Sequence, residues 1–195
     1  MTVRRLPPVE LRSVENHDPA RRQVRVPDGT RWLVERAPAD SPDGSVQFLV
    51  NVPPGVFSPP PHIHPEATDS YEVLEGAFTV KVDGNSHTLK KGEKLDVPPR
   101  TVHTLANRSG AEALVRNVHQ PANRLDEFVA HADRLMRARK LTKIKDLRVP
   151  ILFSMLTLEY PDTLIPDPPV RAGGVAPTGG RRRVACSGAE ERGRE

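Results

Sequence analysis

The chain has 195 residues, of which 36% are hydrophobic and 28% charged, with 21 prolines, 13 glycines and a formal net charge of +4. That length suits roughly one domain of ordinary size plus an appended segment, and the composition excludes a collagen, a pure coiled coil and a wholly disordered chain. One Trp, two Tyr and five Phe are the only aromatics, so Val and Leu must fill the core, and a stacking platform for single-stranded nucleic acid is poorly supplied.

Residues 1–29 read as an N-terminal arm, rich in Arg and Pro, with an edge strand expected near 23–26. No apolar run of signal-peptide length follows the early arginines. The longest apolar stretch, 149–158, is interrupted by Pro150, Ser154 and Thr157 and is too short to cross a bilayer as a helix. The lone Cys186 has no partner within the chain, which fits a reducing, cytoplasmic setting.

Over 30–120 short apolar-rich runs alternate with Gly, Pro and Asp: TRWLVERA, SVQFLVNV, YEVLEG, AFTVKV, HTLKKG, KLDVP, TVHTLAN and EALVRNVH. Many short strands with turn residues between them predict an all-β sandwich or barrel of the jelly-roll kind. The clearest hairpin runs through Val80, Lys81 and Val82 into a turn at Asp83 and Gly84.

Helical spacing begins only after the strands. Leu125, Phe128, Val129, Ala132, Leu135 and Met136 recur at intervals of three and four, predicting a helix over 124–139 with Asn123 as its N-cap. A second, buried helical segment is expected over 151–158, closed by Pro161, so that 121–160 forms a helical extension to the barrel. The extension should cover a barrel mouth or build a dimer interface. Residues 161–195 lack periodicity and read as a disordered tail. Arg134, Arg137, Arg139, Lys140, Lys143, Lys145 and Arg148 accompany a single acid, Asp146. They read as a solvated face; no nucleic-acid partner is expected, and contact with a membrane surface is the lesser alternative.

The chemistry lies in two stretches. In GVFSPPPHIHPEATDSYEVLEG, starting at Gly55, His62 and His64 stand two apart, Asp69 follows five later, and Gly76 seven after that. Residues i and i+2 of a strand share a face, so both imidazoles can serve one transition metal. In GEKLDVPPRTVHTLAN, Gly92, Pro98, His103 and Asn107 are spaced six, five and four apart, and His103 supplies a third imidazole. By this chain's own frequencies, the second spacing arises at roughly one chance in a thousand.

Together the two stretches resemble the paired motifs of the cupin superfamily, G-x5-H-x-H-x3/4-E-x6-G and G-x5-P-x-G-x2-H-x3-N. There are three departures. The Gly55 to His62 spacing has one extra residue, Arg100 replaces a Gly, and Asp69 replaces a Glu, one methylene longer. The resemblance implies a small single-domain jelly-roll barrel holding one divalent transition metal (Fe, Mn, Ni, Cu or Zn). It implies His62, His64, Asp69 and His103 as ligands; the rival is a three-histidine site completed by water or Glu66.

His17, His87, His119 and His131 show no ligand spacing and read as ordinary loop, strand-end or helix-face residues. Tyr71 shares the face of Asp69, whereas Glu72 should point away. Tyr71, Phe57 and Phe78 are expected in the cavity wall or the core. Glu66, Tyr71 and Arg100 are the only nearby candidates for catalytic acid or base, Arg100 also for binding an anion.

The family's activities include dioxygenases, isomerases, epimerases, decarboxylases and cyclases. The expected function is a metal-dependent oxidoreductase of the dioxygenase type acting on a small organic molecule. A non-catalytic ligand- or metal-binding cupin and a metal-assisted isomerase or cyclase are the alternatives. A homodimer is expected, and with no helix-turn-helix signal a DNA-reading regulator is not.

Overall fold

Strict alternation of apolar side chains lays down the long strands. In VQFLVNV every second residue, Val46, Phe48, Val50 and Val52, is buried. The computed structural model of the chain describes residues 23–56, 59–143 and 145–167. The calls on residues 1–22, Phe57, His17, Cys186 and the tail over 168–195 therefore lie outside the described residues.

In chain order the elements are β1 (Gln23–Arg25), β2 (Arg31–Arg36), β3 (Val46–Val52), β4 (His62–Ile63), β5 (Thr68–Glu75), β6 (Ala77–Val82), β7 (Asn85–Lys90), β8 (Lys94–Val97), β9 (His103–Ala106), β10 (Ala113–Gln120), α1 (Leu125–Ala138), α2 (Arg148–Glu159) and β11 (Ile165–Pro166). A six-stranded sheet, ordered β1-β2-β3-β10-β5-β8, faces a five-stranded sheet, ordered β11-β4-β9-β6-β7. Together they form the expected jelly roll. The arm supplies its edge strand as β1, paired with β2.

The inner faces separate into an apolar end and a polar end. On β5 and β10, Val73 stands opposite Val115, Tyr71 opposite Asn117, and Asp69 opposite His119, all buried. On β3, Val50 stands opposite Val115 and Val52 opposite Ala113, extending the apolar end. The polar partners mark the other end, where β4 and β9 also place histidines.

Turn chemistry follows the sequence closely. Asp83 and Gly84 take φ of 46° and 85° between Val82 and Asn85, the paired left-handed conformations of a tight hairpin turn. At Gly76, φ is +79° and a Cβ would lie 2.8 Å from the Glu112 carbonyl oxygen. Gly76→Ala is expected to lower stability by about 2 kcal/mol or more, read as a fall in the urea midpoint at unchanged slope.

The helices depart from expectation in two ways. Asn123 does not cap α1: it and Arg124 both take left-handed φ, 41° and 61°, and Arg124 occupies the N-cap without a side-chain capping bond. Asp126 and Glu127 in the first turn complement the helix dipole instead. The second segment is helical but not wholly buried. Leu152 and Leu156 are covered, while Ile151 and Leu158 are 61% and 82% exposed, because only one stripe of a helix with no polar face reaches α1. Phe128 joins the two helices through edge contacts with Phe153 and Tyr160, at 6.2 Å and 5.7 Å between centroids.

The expected start of the tail at Pro161 is corrected. After α2 the chain turns back, and β11 pairs with β4, Ile165 opposite Ile63 and Pro166 opposite His62. Backbone pairing, which leaves no mark in side-chain periodicity, orders this stretch as far as Asp167. The basic residues from Arg134 to Arg148 named above are exposed, as a solvated face requires. Among the described residues no helix is long and apolar enough to cross a membrane.

Candidate metal centre

Both sheets contribute to the polar end of the barrel. His62 opens β4 and stands opposite His103 on β9, and His64 follows two residues later on the same face. The ring centroids of His62 lie 4.9 Å from His64 and 4.3 Å from His103, and those of His64 and His103 are 5.2 Å apart. From the facing sheet β5 brings Asp69 and β10 brings His119, whose ring centroid is 4.3 Å from that of His64. All five side chains are buried.

Each ring of the first trio is held by its Nδ1. His62 meets the Pro60 carbonyl at 2.9 Å, His64 the Thr163 carbonyl at 2.5 Å, and His103 the Thr101 carbonyl at 3.0 Å. A carbonyl oxygen only accepts, so Nδ1 carries the proton and donates. In the neutral ring Nε2 is then left with its lone pair free, as a metal ligand requires. The Nε2 atoms of His103 and His119 are buried with no hydrogen-bond partner among the described residues. An orphaned buried acceptor is costly, and a cation is the partner that this donor set fits.

Asp69 lies beside two of these rings. Its Oδ2 is 3.2 Å from His64 Nε2 and 3.5 Å from His103 Nε2. Two ligands on one first-row ion, each about 2.1 Å from it, would stand about 3.0 to 3.4 Å apart. Tyr71 donates its hydroxyl to Oδ2 at 2.5 Å, while Asn117 and His119 donate to Oδ1 at 3.0 Å and 2.9 Å. The potential ligand atoms fall into two overlapping trios, His62/His64/His103 and His64/Asp69/His119, each with its atoms within 4.8 Å of one another.

Burial, aided by the neighbouring charges of His103 and His64, pushes the His62 imidazolium well below its ordinary range, so the ring is neutral at pH 7. Burial also disfavours a charged His64, but the Asp69 carboxylate and the Thr163 carbonyl outweigh it and raise that group. Burial alone would raise Asp69; the charges of His64 and His119 and the bond from His119 hold it well below the usual carboxylate range. Burial and the adjacent Asp69 drive the Tyr71 phenol far up, so it stays a donor.

The structure thus brings together His62, His64, His103, Asp69 and Tyr71, and leaves Glu66 and Arg100 exposed. Arg100 takes φ of 60°, which accounts for the glycine usual at that place, and its side chain bonds the Pro65 carbonyl at 3.3 Å. Its backbone N–H supports the site more directly, donating to the His64 carbonyl at 2.8 Å.

His119, read as an ordinary strand-end residue, is instead wholly buried beside Asp69. The alternation of Ala113, Val115, Asn117 and His119 along β10 was the available signal. Thr163 was also missed, having been assigned to the tail, because a backbone carbonyl leaves no trace in sequence. Truncation after Asp162 is expected to free the His64 ring and weaken Zn(II) binding by about 10- to 100-fold, measured by competition with a chromophoric chelator. Equal affinity in a folded truncated protein would show that this carbonyl is dispensable.

A cavity of about 660 Å³ opens from the cluster. His62, His64, Asp69 and Tyr71 line it on one side, and residues of α1 and α2 line it as well.

Residues 48–123 match the family model of the cupin domain. Comparison with curated proteins gave no match. Among solved structures the chain is similar to KdgF from a Halomonas species, at 23% identity over 51% of this chain and 86% of that one, TM-score 0.45. It is also similar to a sugar phosphate isomerase of Silicibacter pomeroyi, at 28% identity over 48% and 60% of the two chains, TM-score 0.42. A conserved protein of Klebsiella pneumoniae with a double-stranded β-helix domain matches at 26% identity over 42% and 70%, TM-score 0.38. With both spaced motifs on strands of a jelly roll and the family model matched across them, residues 48–123 of this chain form a cupin domain.

Proposed function

We propose that this cupin holds one divalent first-row transition metal through His62, His64, His103 and Asp69, and that it is an oxidoreductase of the dioxygenase type acting on a small organic molecule in the adjoining cavity. The observation that carries the reading is the convergence of three histidines, each fixed by a backbone carbonyl at Nδ1, two of which, His62 and His64, line a cavity large enough for an organic ligand. A metal bound there supplies a Lewis-acidic, redox-capable centre with positions open to substrate and oxygen.

The chain's own groups do the rest. His62, kept neutral by burial, offers a lone pair without first losing a proton. Asp69 balances positive charge, and Tyr71, Asn117 and His119 fix its orientation. Most of the remaining cavity wall is apolar. Chemistry without oxygen, such as isomerisation or cyclisation, needs a proton acceptor or donor from the chain. Glu66 and Arg100 stand outside the cavity, and Tyr71 already gives its proton to Asp69.

The test is an oxygen-electrode screen of the full chain reconstituted with Fe(II), Mn(II), Ni(II) or Cu(II), against 2-hydroxy acids and 1,3-dicarbonyl compounds. Oxygen uptake that His103→Ala abolishes is the expected result. Turnover without oxygen uptake would overturn the oxidoreductase assignment in favour of an isomerase or cyclase. Failure of every ion to bind a folded protein would remove the metal reading altogether.

A further inference from the structure

The cavity beside the histidines has a marked chemical polarity. Most of its polar residues, His62, His64, Asp69, Tyr71 and Asn117, belong to the histidine cluster, while the hydroxyls of Thr104 and Ser154 in the lining already donate to the Pro59 and Pro150 carbonyls. Away from that cluster the wall is mostly hydrocarbon. Phe128, Ala132 and Leu135 of α1 and Leu152 and Phe153 of α2 line it together with Trp32 of β2. Asp167 is the one other charged group in the lining, and no described lining residue is Lys or Arg.

A phosphorylated or multiply hydroxylated substrate would find neither a counter-cation nor hydrogen-bond partners along this wall, and burying such groups unpaired is costly. An apolar tail would instead gain from every methylene removed from water. The volume, about 660 Å³, falls among cavities that hold drug-sized organic ligands, roughly 300–1,000 Å³, and exceeds what a three-carbon head group needs.

From this we infer that the substrate is an amphipathic molecule: one oxygen-bearing head at the His62/His64/Asp69 pole and an extended hydrocarbon tail lying between the barrel mouth and the helices α1 and α2. The inference rests on the proposed function for the role of the head. The tail site follows from the wall alone.

Trp32 is the only tryptophan of the chain and lines this cavity, so its emission reports occupancy directly. The experiment titrates the full-length protein, metal-loaded and chelator-treated, with 2-hydroxydodecanoate below its micelle-forming concentration. 2-Hydroxypropanoate, with the same head and no tail, and glucose 6-phosphate serve as comparisons. The expected result is a saturable change in Trp32 emission, with the long acid bound at least about tenfold more tightly than the short one in both forms of the protein. Ala132→Phe, which fills the space between the helices, should remove that advantage while leaving metal content unchanged.

Equal affinity for the long and short acids, or preferential binding of glucose 6-phosphate, would overturn the inference even in a protein that holds its metal. A tail preference that survives in a protein unable to bind any metal would support the inference and defeat the proposed function, so the two fail separately. A tail preference that Ala132→Phe leaves intact would place the hydrocarbon elsewhere and overturn the assignment of this cavity.

Discussion

The His62→Ala/His64→Ala protein is expected to purify with less than about a tenth of the metal carried by the parent chain, and to bind added Zn(II) or Ni(II) more than about 100-fold more weakly. Both trios lose His64 and the first also loses His62, so His103, Asp69 and His119 are left without a complete trio among them. The fold should survive. Both side chains line an open cavity rather than the Val-rich end of the barrel, so their loss leaves no sealed void. Elemental analysis of protein prepared without a chelating tag measures the first quantity, and far-UV circular dichroism checks the second. Equal metal content in parent and variant would show that the ion lies elsewhere. Zinc in the parent, rather than iron, manganese, nickel or copper, would move weight from oxygen chemistry to Lewis-acid chemistry.

Asp69→Asn is expected to destabilise the metal-free protein by about 3–5 kcal/mol at pH 7, the cost of breaking a buried ionic network by removing one partner. The substitution keeps the shape of the side chain and changes only its chemistry. Asp69 accepts from Tyr71, Asn117 and His119 and faces His64 and His103 across 3.2 Å and 3.5 Å. An amide would turn two donor hydrogens toward groups that themselves donate, and it would withdraw the negative charge that raises His64.

The pH dependence has a definite sign. Asp69 is held below its unfolded value, so its stabilisation is fully present above that value and is lost as pH falls through the depressed folded one. The gap between parent and variant should therefore persist on acidification into the ordinary carboxylate range and close only below it. Urea unfolding in the presence of chelator from pH 7 downward measures this. A variant as stable as the parent at pH 7 would show that Asp69 is not the charged centre of the cluster.

Much of the architecture was legible because it depends on local periodicity. The alternation in VQFLVNV and EALVRNVH buries one face of each strand wherever the strand lies, and the Asp83–Gly84 turn needs two left-handed residues that this pair readily supplies. His62, His64 and His103 were legible for a related reason, since a spacing of two puts a pair on one face and the spaced Gly, Pro and Asn residues mark the strand that brings the third. By contrast, the capping of α1 was misread. Asn123 is a good cap in isolation, but entry into the helix through two left-handed residues moved the cap to Arg124.

What the sequence by itself determined is therefore the set of strands, the two helical segments and the three-histidine motif, all of which follow from side-chain order over a few residues. Only the tertiary structure decided the rest. The antiparallel register of β10 on β5 put His119 opposite Asp69, the return of the chain after α2 set the Thr163 carbonyl on His64, and α1 and α2 brought apolar residues into the lining of the cavity beside the site. Each of these joins groups far apart in the chain, through strand pairing, a backbone carbonyl or a shared cavity wall, and none of those contacts leaves a local pattern in the order of side chains.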